Sequence, residues 1–382
     1  MNKRAVGLIV GLLIVIVGFV VVPQMRKSAI NVQTKTITVG VILPLTGNLS
    51  VLGQNEASLL RASIEVINKY RIDRPPLELR IEDAASDAKK AATVANLFAA
   101  QKMPIVMAST TPLAGPIIPI CEQNEQVVVI HSMTESLLEN THFAMRIYPG
   151  IGDEVRAISG WLETLPEKSS LFALRLDTEW SAKWIEIFSS TVSSVSMHDE
   201  TYTMADPNIR NALAKLRDSR ATHILLLGYG QEYPTLLKQI REAGITLPVI
   251  GNIGFVYAGT RESAMKMGDL NLLAGCVFPS LGCDTNSPNY RALQAVYDRE
   301  GKGSIMEEPG ALYFFDSLLL LANAIDDVGV TPDRIRNQIF AKQNPFRGIT
   351  GQITFSEDGN CRTHLSMAQY DGNGQIIPLP TN

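Results

Sequence analysis

Short runs of apolar residues alternate with longer stretches of mixed polarity from Ile37 to the end of the chain. The runs are rich in Val, Ile and Leu, and few of them alternate strictly between apolar and polar positions. That pattern is typical of parallel strands that are covered on both faces. The predicted strands are Ile37–Leu43, Leu77–Glu82, Pro104–Met107, Val127–His131, Ser170–Arg175, His223–Leu227 and Pro248–Gly251.

Between the strands, apolar residues recur three and four positions apart, which is the spacing of one buried face of a helix. Leu236, Leu237 and Ile240 mark one such helix, which Gly244 is predicted to end. A strand followed by a helix, repeated along the chain, predicts an α/β protein with doubly wound parallel sheets. The stretch from Ile37 to Asn382 exceeds the roughly 250–300 residues at which one hydrophobic core stops growing, so two such lobes are predicted.

Turn-rich segments mark the points at which the chain is expected to pass from one lobe to the other. These segments are Tyr148–Gly150, Pro279–Pro288 and Asn344–Gly348. The two lobes are therefore expected to be joined by three crossovers. The predicted first lobe comprises residues 37–149 and 280–345, and the predicted second lobe comprises residues 150–279 and 346–382.

The chain begins with an unbroken apolar run, Ala5–Val22, which has Lys and Arg residues on both sides. Its length is near the lower limit for spanning a bilayer, and no A-x-A cleavage pattern follows it. Residues 1–28 are therefore predicted to form one N-terminal transmembrane or signal helix, either kept as a membrane anchor or cleaved, and residues 29–36 a polar tether. The rest is expected to be periplasmic or in the cell envelope, anchored to the inner membrane if the helix is kept.

Composition and charge restrict the possible functions of the chain more than they restrict its possible folds. The 34 Lys and Arg residues against 38 Asp and Glu residues give a net charge of −4, so no nucleic-acid partner is predicted. The five His residues lack the spacing of a metal site, and the chain has no G-x-S-x-G elbow and no P-loop. We therefore predict no metal, no cofactor and no catalytic residue, and we do not expect an enzyme.

Two local features each have two interpretations. Glu82–Asp83 ends a strand close to Asp87, and such carboxylates serve either acid–base chemistry or a loop in which Ser86 or Asp87 caps the next helix; the capping role is favoured. Cys276 and Cys283 lie near each other in sequence, and in an exported chain they either close a short disulfide loop or remain thiols.

Several segments together resemble one known family. In chain order they are Ile37–Gly47, Leu52–Gln54, Ile81–Asp87, Ser109–Pro112, Phe143–Arg146, Asp177–Ser181, Leu227–Tyr229 and Phe346–Gly351. This ordered set resembles the type I periplasmic solute-binding proteins of ABC importers, the branched-chain amino-acid-binding (Leu/Ile/Val-binding) family, over nearly the whole chain after the tether. The resemblance implies two lobes that enclose a small ligand between them and deliver it to an ABC permease.

Ligands of open α/β sheets bind beyond the carboxyl ends of the strands, where helix N-termini present free N–H groups that suit a carboxylate. With the resemblance, this predicts a set of ligand-binding residues: Leu52, Ser109, Thr110, Thr111, Met133, Thr134, Trp180, Tyr229 and Ile253. Trp180 and Tyr229 are expected to form an aromatic wall over the ligand. The alternative is turn and capping chemistry for the hydroxyl residues and ordinary core packing for the aromatic residues.

One segment departs from the resemblance. Relatives that bind amino acids commonly place an acidic residue in the loop after the strand that corresponds to Pro248–Gly251, and here that loop reads Asn252–Phe255. A buried ligand ammonium without a counter-charge would cost several kcal/mol. Either another carboxylate takes this role, or the ligand is an organic acid, an aromatic acid or an amide.

Two functions fit these features. The first is a solute receptor that captures a small carboxylate-bearing metabolite, an amino acid or a related organic acid, and delivers it to an ABC-type importer. The second is a membrane-tethered sensing ectodomain that signals through a partner protein. A transcriptional repressor built on the same lobes is excluded, because an apolar run stands where its DNA-binding helices would be.

Overall fold

The computed structural model describes residues 36–307, 309–341 and 345–379. The predicted N-terminal helix at 1–28 lies outside the described residues, as does nearly all of the predicted tether at 29–36. Within the described ranges, every helix is too short or too polar to cross a bilayer.

The first sheet is parallel throughout and, within the described residues, has five strands in the order β2-β1-β3-β4-β5. Its strands are β1 (Ile37–Leu43), β2 (Leu77–Asp83), β3 (Ile105–Ser109), β4 (Val127–His131) and β5 (Ala144–Arg146). Every residue of β3 and β4 is buried, as expected for central strands with helices on both faces.

The second sheet has, in the part of the chain that is described, seven strands in the order β15-β14-β10-β9-β8-β6-β7. Its strands are β6 (Ser170–Leu176), β7 (Ser196–Tyr202), β8 (His223–Leu227), β9 (Val249–Gly251), β10 (Val277–Ser280), β14 (Ser366–Tyr370) and β15 (Ile376–Pro378). The strands from β6 to β10 are parallel, and β14 and β15 are added antiparallel at one edge. Three short antiparallel strands lie between β10 and β14 in sequence: β11 (Phe346–Gly348), β12 (Gly351–Phe355) and β13 (Cys361–Arg362).

Helices fill the connections between the strands. They are α1 (Ser50–Lys69), α2 (Ala88–Ala100), α3 (Thr111–Gln123), α4 (Ile151–Glu163), α5 (Glu179–Thr191), α6 (Arg210–Asp218), α7 (Tyr233–Glu242), α8 (Ala258–Lys266), α9 (Pro288–Glu300), α10 (Leu312–Val328) and α11 (Pro332–Phe340). The cap predicted for α2 is confirmed, because the Asp87 carboxylate accepts a hydrogen bond of 2.7 Å from the Lys90 backbone N–H. The α/β class with parallel sheets is confirmed as well, since every predicted strand lies in one of these two sheets.

The chain passes between the two sheets more than once. It leaves the first sheet after β5 and builds the second from β6 to β10, and then α9 and α10 return to pack against α1. It comes back to the second sheet at β14. This path has the connectivity of three crossovers, while the lobe boundaries stated above remain predictions.

A buried arginine connects the segments of the first and last of these crossovers. The Arg146 side chain is fully buried at the end of β5, and it donates hydrogen bonds to Asn360 Oδ1 at 2.7 Å, to the Cys361 carbonyl at 3.1 Å and to the Tyr148 carbonyl. The Cys361 thiol in turn contacts the Tyr148 backbone N–H at 3.2 Å. Two segments far apart in sequence are therefore held together where the chain leaves the first sheet.

The thiols of Cys276 and Cys283 are free, as are the other two cysteines of the described chain. Burial raises the pKa of Cys276 and of Cys283 to about 12, so both are protonated and unreactive at neutral pH. Of the two interpretations given above, the thiol form is the one observed.

Candidate functional site

A cavity lies between the carboxyl ends of the strands of the two sheets. The described residues that line it come from the loops after β3, β4, β6, β8 and β9, from the first turns of α1, and from two connecting segments. They are Leu52, Glu56, Thr110, Thr111, His131, Ser132, Met133, Tyr148, Trp180, Gly228, Tyr229, Asn252, Tyr257 and Gly310. The position agrees with the general rule that ligands of open α/β sheets bind at these strand ends.

Thr110 has the most unusual backbone conformation of the lining residues. Its φ of 63° with a ψ of 145° lies in a region that glycine adopts readily and that a β-branched residue adopts only under strain. It precedes α3 without capping that helix, and its buried Oγ1 has no hydrogen-bond partner among the described residues. A strained backbone and an unsatisfied hydroxyl at one residue indicate a position kept for a purpose other than stability.

The neighbouring hydroxyl groups are engaged with one another. Thr111 Oγ1 lies 2.7 Å from Ser132 Oγ and 3.0 Å from Thr134 Oγ1, so these hydroxyls hold the loops after β3 and β4 together. The Thr110 backbone N–H donates to the His131 carbonyl at 2.8 Å across the same strand ends. The first backbone N–H groups of α3 lie at this point, and they have no carbonyl acceptor within the helix.

His131 is a neutral wall of the cavity. Its ring stacks on Phe314 with a centroid separation of 3.7 Å, and burial lowers the pKa of His131 to about 3. Its Nε2 lies 2.9 Å from Ser317 Oγ, and Ser317 Oγ donates to the Tyr313 carbonyl at 2.7 Å. Because the serine hydrogen is used in that second bond, the proton of the neutral His131 ring is on Nε2.

Two aromatic side chains cover the cavity from the second sheet. The Trp180 and Tyr229 rings are 5.8 Å apart and tilted by 60°. The Trp180 side chain is 5% exposed, and its Nε1 makes no hydrogen bond of ordinary geometry with any described residue. Burial raises the pKa of Tyr229, and the nearby Trp180 N–H opposes that change. Trp180 therefore brings an apolar surface and an available donor to the cavity.

The loop that carries Tyr229 is held from behind by a buried carboxylate. Glu232 Oε1 accepts hydrogen bonds from the Tyr229 backbone N–H at 3.0 Å and from the Tyr202 hydroxyl at 2.8 Å. A Cβ atom at Gly228 would lie 2.0 Å from Glu232 Oε1 and 2.2 Å from the Tyr202 hydroxyl oxygen. A side chain at position 228 would therefore displace the Glu232 carboxyl group and the Tyr202 hydroxyl from this network, which favours glycine in the Gly-Tyr pair after β8.

The loop after β9 offers little free hydrogen-bonding capacity. The Asn252 amide accepts from the Gly254 backbone N–H at 3.2 Å and donates to the Gly228 carbonyl at 3.1 Å. The Ile253 backbone N–H donates to Glu154 Oε1 at 2.6 Å, and burial raises the pKa of Glu154 to about 8. The Glu154 carboxyl group therefore lies behind this loop rather than in the cavity.

The predicted ligand-binding residues divide into two groups. Those that line the cavity are Leu52, Thr110, Thr111, Met133, Trp180 and Tyr229. The others, which do not line it, are Ser109, Thr134 and Ile253. Ser109 ends β3 with a fully buried side chain, the Thr134 hydroxyl is bonded to Thr111, and Ile253 is fully buried in the core. A contact between any of these residues and a ligand remains a prediction.

The sequence did not predict several of the lining residues. Among them, Glu56 differs most in chemistry from the residues that were predicted. Glu56 is a 6%-exposed carboxylate one helical turn after Leu52, so the spacing of four residues was available as a sign that both share a face. The sequence predicts His131 as a strand end without metal-site spacing and Tyr148 as part of a crossover, and neither pattern indicates a cavity. Tyr257 follows a short 3-10 helix at Ile253–Val256 and carried no pattern of its own.

The two sides of the cavity touch each other directly. The Tyr148 hydroxyl lies 2.8 Å from the Tyr257 hydroxyl, and Gln231 Nε2 donates to the Asn48 carbonyl at 2.7 Å. Both bonds join residues near the first sheet to residues near the second, so protein groups alone connect the two sides of the cavity. Among the described residues there is no group of His, Cys, Asp and Glu side chains that could hold a metal ion.

The family model described as periplasmic binding protein matches residues 36–375 of this chain. Leu/Ile/Val-binding protein homolog 3 of Brucella melitensis biotype 1 is 22% identical over 359 residues, which cover 90% of this chain and 93% of that protein. The leucine-, isoleucine-, valine-, threonine- and alanine-binding protein of Pseudomonas aeruginosa is 21% identical over 347 residues, which cover 88% of this chain and 90% of that protein.

Solved structures give the same result for the fold. The branched-chain amino acid transporter substrate-binding protein LivJ of Streptococcus pneumoniae, in complex with isoleucine, superposes with a TM-score of 0.78 at 21% identity. The leucine-binding protein LivK of Thermotoga maritima also has a TM-score of 0.78, at 18% identity. Each alignment covers 90% of this chain and 98% of the other. At this identity the likeness establishes a shared fold.

Proposed function

This chain belongs to the periplasmic binding protein family, and from that premise we propose that it is a receptor for a small carboxylate-bearing metabolite, bound in the cavity between its two sheets. The family implies a location outside the cytoplasm. The matched relatives are named as binding proteins rather than enzymes, so the family-level function is binding without chemistry.

One observation carries the proposal. Thr110 Oγ1 and Trp180 Nε1 are buried polar atoms that line the same cavity from opposite sheets. Thr110 Oγ1 lacks a hydrogen-bond partner among the described residues, and Trp180 Nε1 makes no hydrogen bond of ordinary geometry there, although its N–H lies near the Tyr229 hydroxyl. Buried polar groups are nearly always hydrogen-bonded in folded proteins, and an unsatisfied one costs about 1–3 kcal/mol. A ligand with acceptor atoms between the two sheets would satisfy both groups at once. The first N–H groups of α3, beside Thr110, favour an acceptor that carries negative charge.

The remainder of the lining supports an apolar body for the ligand. The lining is mostly apolar, and Leu52, Met133 and the rings of Tyr148, Trp180 and Tyr229 belong to it. Such pockets combine apolar walls with a few convergent polar groups that fix the orientation of the ligand. Since the curated relatives are named for binding leucine, isoleucine and valine, branched-chain aliphatic amino acids are the first ligands to test, with related organic acids beside them.

Delivery of the ligand to an ABC-type importer is the role proposed for the loaded receptor. The apolar run Ala5–Val22 supports a second candidate, a membrane-tethered ectodomain that reports ligand binding to a signalling partner. The mature N-terminus, measured by intact-mass spectrometry of protein from its native membrane, separates the two. A chain cleaved near residue 30 supports the free receptor, and an intact N-terminus supports the tethered sensor.

Native mass spectrometry of the protein as purified, followed by thermal denaturation with a panel of amino acids and organic acids, tests the binding function itself. A ligand that binds only the folded state stabilises it by RT ln(1 + [L]/Kd), which is about 2.7 kcal/mol at a concentration 100 times Kd. We expect a retained small molecule, a rise of Tm with part of the panel, or both. Absence of any retained mass together with an unchanged Tm across the panel would refute the proposal.

A further inference from the structure

The α1–β2 turn, Tyr70–Arg74, exposes apolar side chains and buries a charged one. Ile72 is 87% exposed, the largest exposed fraction among the large apolar side chains of the described chain, and Tyr70 is 68% exposed. Arg71, which stands between them, is 6% exposed. This is the reverse of the usual distribution, in which Ile is among the residues most often buried and Arg is almost never fully buried unless it is paired.

The buried arginine holds the turn in this orientation. The Arg71 guanidinium donates hydrogen bonds to the Ala322 carbonyl at 3.0 Å and to the Pro75 carbonyl at 3.0 Å. It also pairs with the Asp326 carboxylate at 2.8 Å, and both Ala322 and Asp326 belong to α10. Because these bonds fix Arg71 inside, the side chains on either side of it are directed outward.

A backbone hydrogen bond closes the turn itself. The Arg74 N–H donates to the Arg71 carbonyl at 3.0 Å, so Ile72 and Asp73 occupy the tip of a β-turn. Turn tips favour Gly, Pro, Asn and Asp, which accounts for Asp73 and leaves a β-branched apolar residue at position 72 unexplained by turn chemistry. Val330, which is 42% exposed, follows the end of α10, the helix that holds the turn. Apolar exposure at this end of the protein is therefore not confined to one residue.

The α1–β2 turn adjoins the point at which the chain enters the first sheet. Ile37 begins β1, its backbone N–H donates to the Pro76 carbonyl at 3.0 Å, and it is paired with Leu77 at the start of β2. In the sequence, 14 residues separate Ile37 from the apolar run Ala5–Val22, and a chain of that length spans at most about 50 Å. If the run is anchored in a bilayer, the end of the sheet that carries the turn is therefore tied to within that distance of the lipid.

The ligand cavity lies at the other end of the same sheet. The turn precedes the amino end of β2, whereas the cavity lies between the carboxyl ends of the strands. The seven residues of β1, Ile37–Leu43, separate these two ends by about 20 Å. A surface that contacts the turn would therefore leave the cavity on the far side of the sheet.

We propose that the α1–β2 turn docks on the lipid bilayer that anchors the N-terminal run, with Ile72 inserted among the acyl chains and the Tyr70 ring at the level of the headgroups. The inference rests on the proposed tethered form of the receptor and adds a second contact with the membrane. Tyr suits the boundary between lipid and water, because its ring is apolar and its hydroxyl is polar. The tether makes a weak contact effective by keeping its local concentration high. The contact directs the cavity away from the bilayer.

The test places a nitroxide label at the tip of the turn in the full chain, reconstituted in vesicles of phosphatidylcholine and phosphatidylglycerol. Asp73→Cys carries the label, so that Ile72 is kept, and parent protein treated with the same reagent gives the background from the native thiols. Electron paramagnetic resonance compares collisions of the label with oxygen, which concentrates in lipid, and with a nickel chelate, which stays in water. We expect collisions with oxygen to dominate.

Addition of Ile72→Ser to the labelled protein tests the side chain that the proposal inserts. The ratio of docked to free turn is expected to fall by a factor of about 10 or more, because burial of an Ile side chain contributes a factor of roughly 10 to 150. Collisions with the nickel chelate should then dominate. Unchanged collision rates would overturn the role of Ile72 in docking.

Met265→Ser is the matched control. Met265 is 55% exposed on α8, which follows β9 of the second sheet, so this substitution also removes an exposed apolar side chain. It should leave the collision rates of the label at position 73 as they are in the labelled parent. Circular dichroism and Tm of each variant report whether the fold is intact.

The outcomes separate docking from the tethered form on which it rests. If the intact chain floats with the vesicles and the label stays exposed to the nickel chelate, docking is overturned while the tethered form stands. If the chain does not float, or its N-terminal run has been cleaved, both are refuted and ligand binding in the cavity is unaffected. A label shielded from both reagents would show that protein, such as a second copy of this chain, covers the turn, which also overturns the contact with lipid.

Discussion

Replacement of Thr110 is expected to separate stability from binding. Thr110 combines a φ of 63° with a buried hydroxyl that lacks a partner among the described residues. Backbone strain of this kind costs about 1–3 kcal/mol, and an unsatisfied buried polar group costs about 1–3 kcal/mol more. Thr110→Gly removes both costs and adds about 0.5–1 kcal/mol of chain entropy to the unfolded state. The ligand-free variant should therefore be more stable than the parent by about 1 kcal/mol or more.

The same substitution is expected to weaken ligand binding. A hydrogen bond to a charged acceptor contributes about 1.5–3 kcal/mol, which is a factor of roughly 10 to 150 in Kd. Thr110→Ala distinguishes the two effects, because it also loses the hydroxyl but keeps a Cβ at a positive φ. Thr110→Gly should be more stable than Thr110→Ala by about 1 kcal/mol, while both variants lose similar affinity.

Two measurements check this prediction. Urea unfolding of protein that has been refolded and dialysed to remove any bound molecule gives the stability of the ligand-free form. Calorimetric titration with the ligand identified by the screen gives the affinity. A Thr110→Gly variant that is less stable than Thr110→Ala would refute the assignment of strain. An affinity that neither substitution changes would refute the role of the hydroxyl.

Three further predictions concern the walls of the cavity and a buried carboxyl group behind them. Trp180→Phe keeps an aromatic ring but removes the N–H donor, so calorimetry should show ligand binding weakened by about 1 kcal/mol, and Trp180→Ala by about 2 kcal/mol; equal affinities for all three proteins would exclude a ligand contact. Gly228→Ala would force a Cβ to 2.0 Å from Glu232 Oε1, so urea unfolding should show a loss of about 1–3 kcal/mol, and a neutral effect would contradict the packing described. Burial raises the pKa of Glu154 from 4.5 to about 8, so the protonated form is favoured by folding. With respect to this group, the free energy of unfolding should be highest below about pH 4.5, fall as the pH rises from there to about 8, and level off above that pH. Glu154→Gln should lose this dependence; identical pH profiles of parent and variant would show that folding does not raise the pKa of Glu154.

Six of the seven strands predicted from sequence lie in the middle of a sheet, and the seventh, Leu77–Glu82, is the edge strand β2. Val127–Ile130 is an unbroken apolar run because helices cover both faces, and the bounds predicted for its strand, Val127–His131, are identical in the structure. Ser196–Tyr202 was missed, since it is the edge strand β7 and carries polar residues that a short window assigns to a loop. The antiparallel strands after residue 345 were missed for a similar reason: each is short, and its pairing depends on residues far away in the chain.

Part of the candidate site could be predicted because it depends on features that are local in the sequence. Strand ends are visible in the sequence, so Thr110 is predicted at the cavity by its position after a strand, and Trp180 by a similar position together with the family resemblance. Ser109 adjoins Thr110, but successive residues of a strand point to opposite faces, and its side chain is buried. Glu56 stands inside an amphipathic helix, where a carboxylate normally faces solvent, and only the packing of that helix against the strand ends buries it.

The contacts across the mouth of the cavity have a kinetic consequence. Two hydrogen bonds, Tyr148–Tyr257 and Gln231–Asn48, form between protein groups alone. Closure of the two lobes therefore does not require a ligand to supply these bonds. We expect the empty protein to spend part of its time shut, with its interior hidden from solvent. Capture then has to wait for the halves to separate, and the observed association rate is reduced by the fraction of molecules that are shut. Loss of the Gln231 side chain would speed both loading and release.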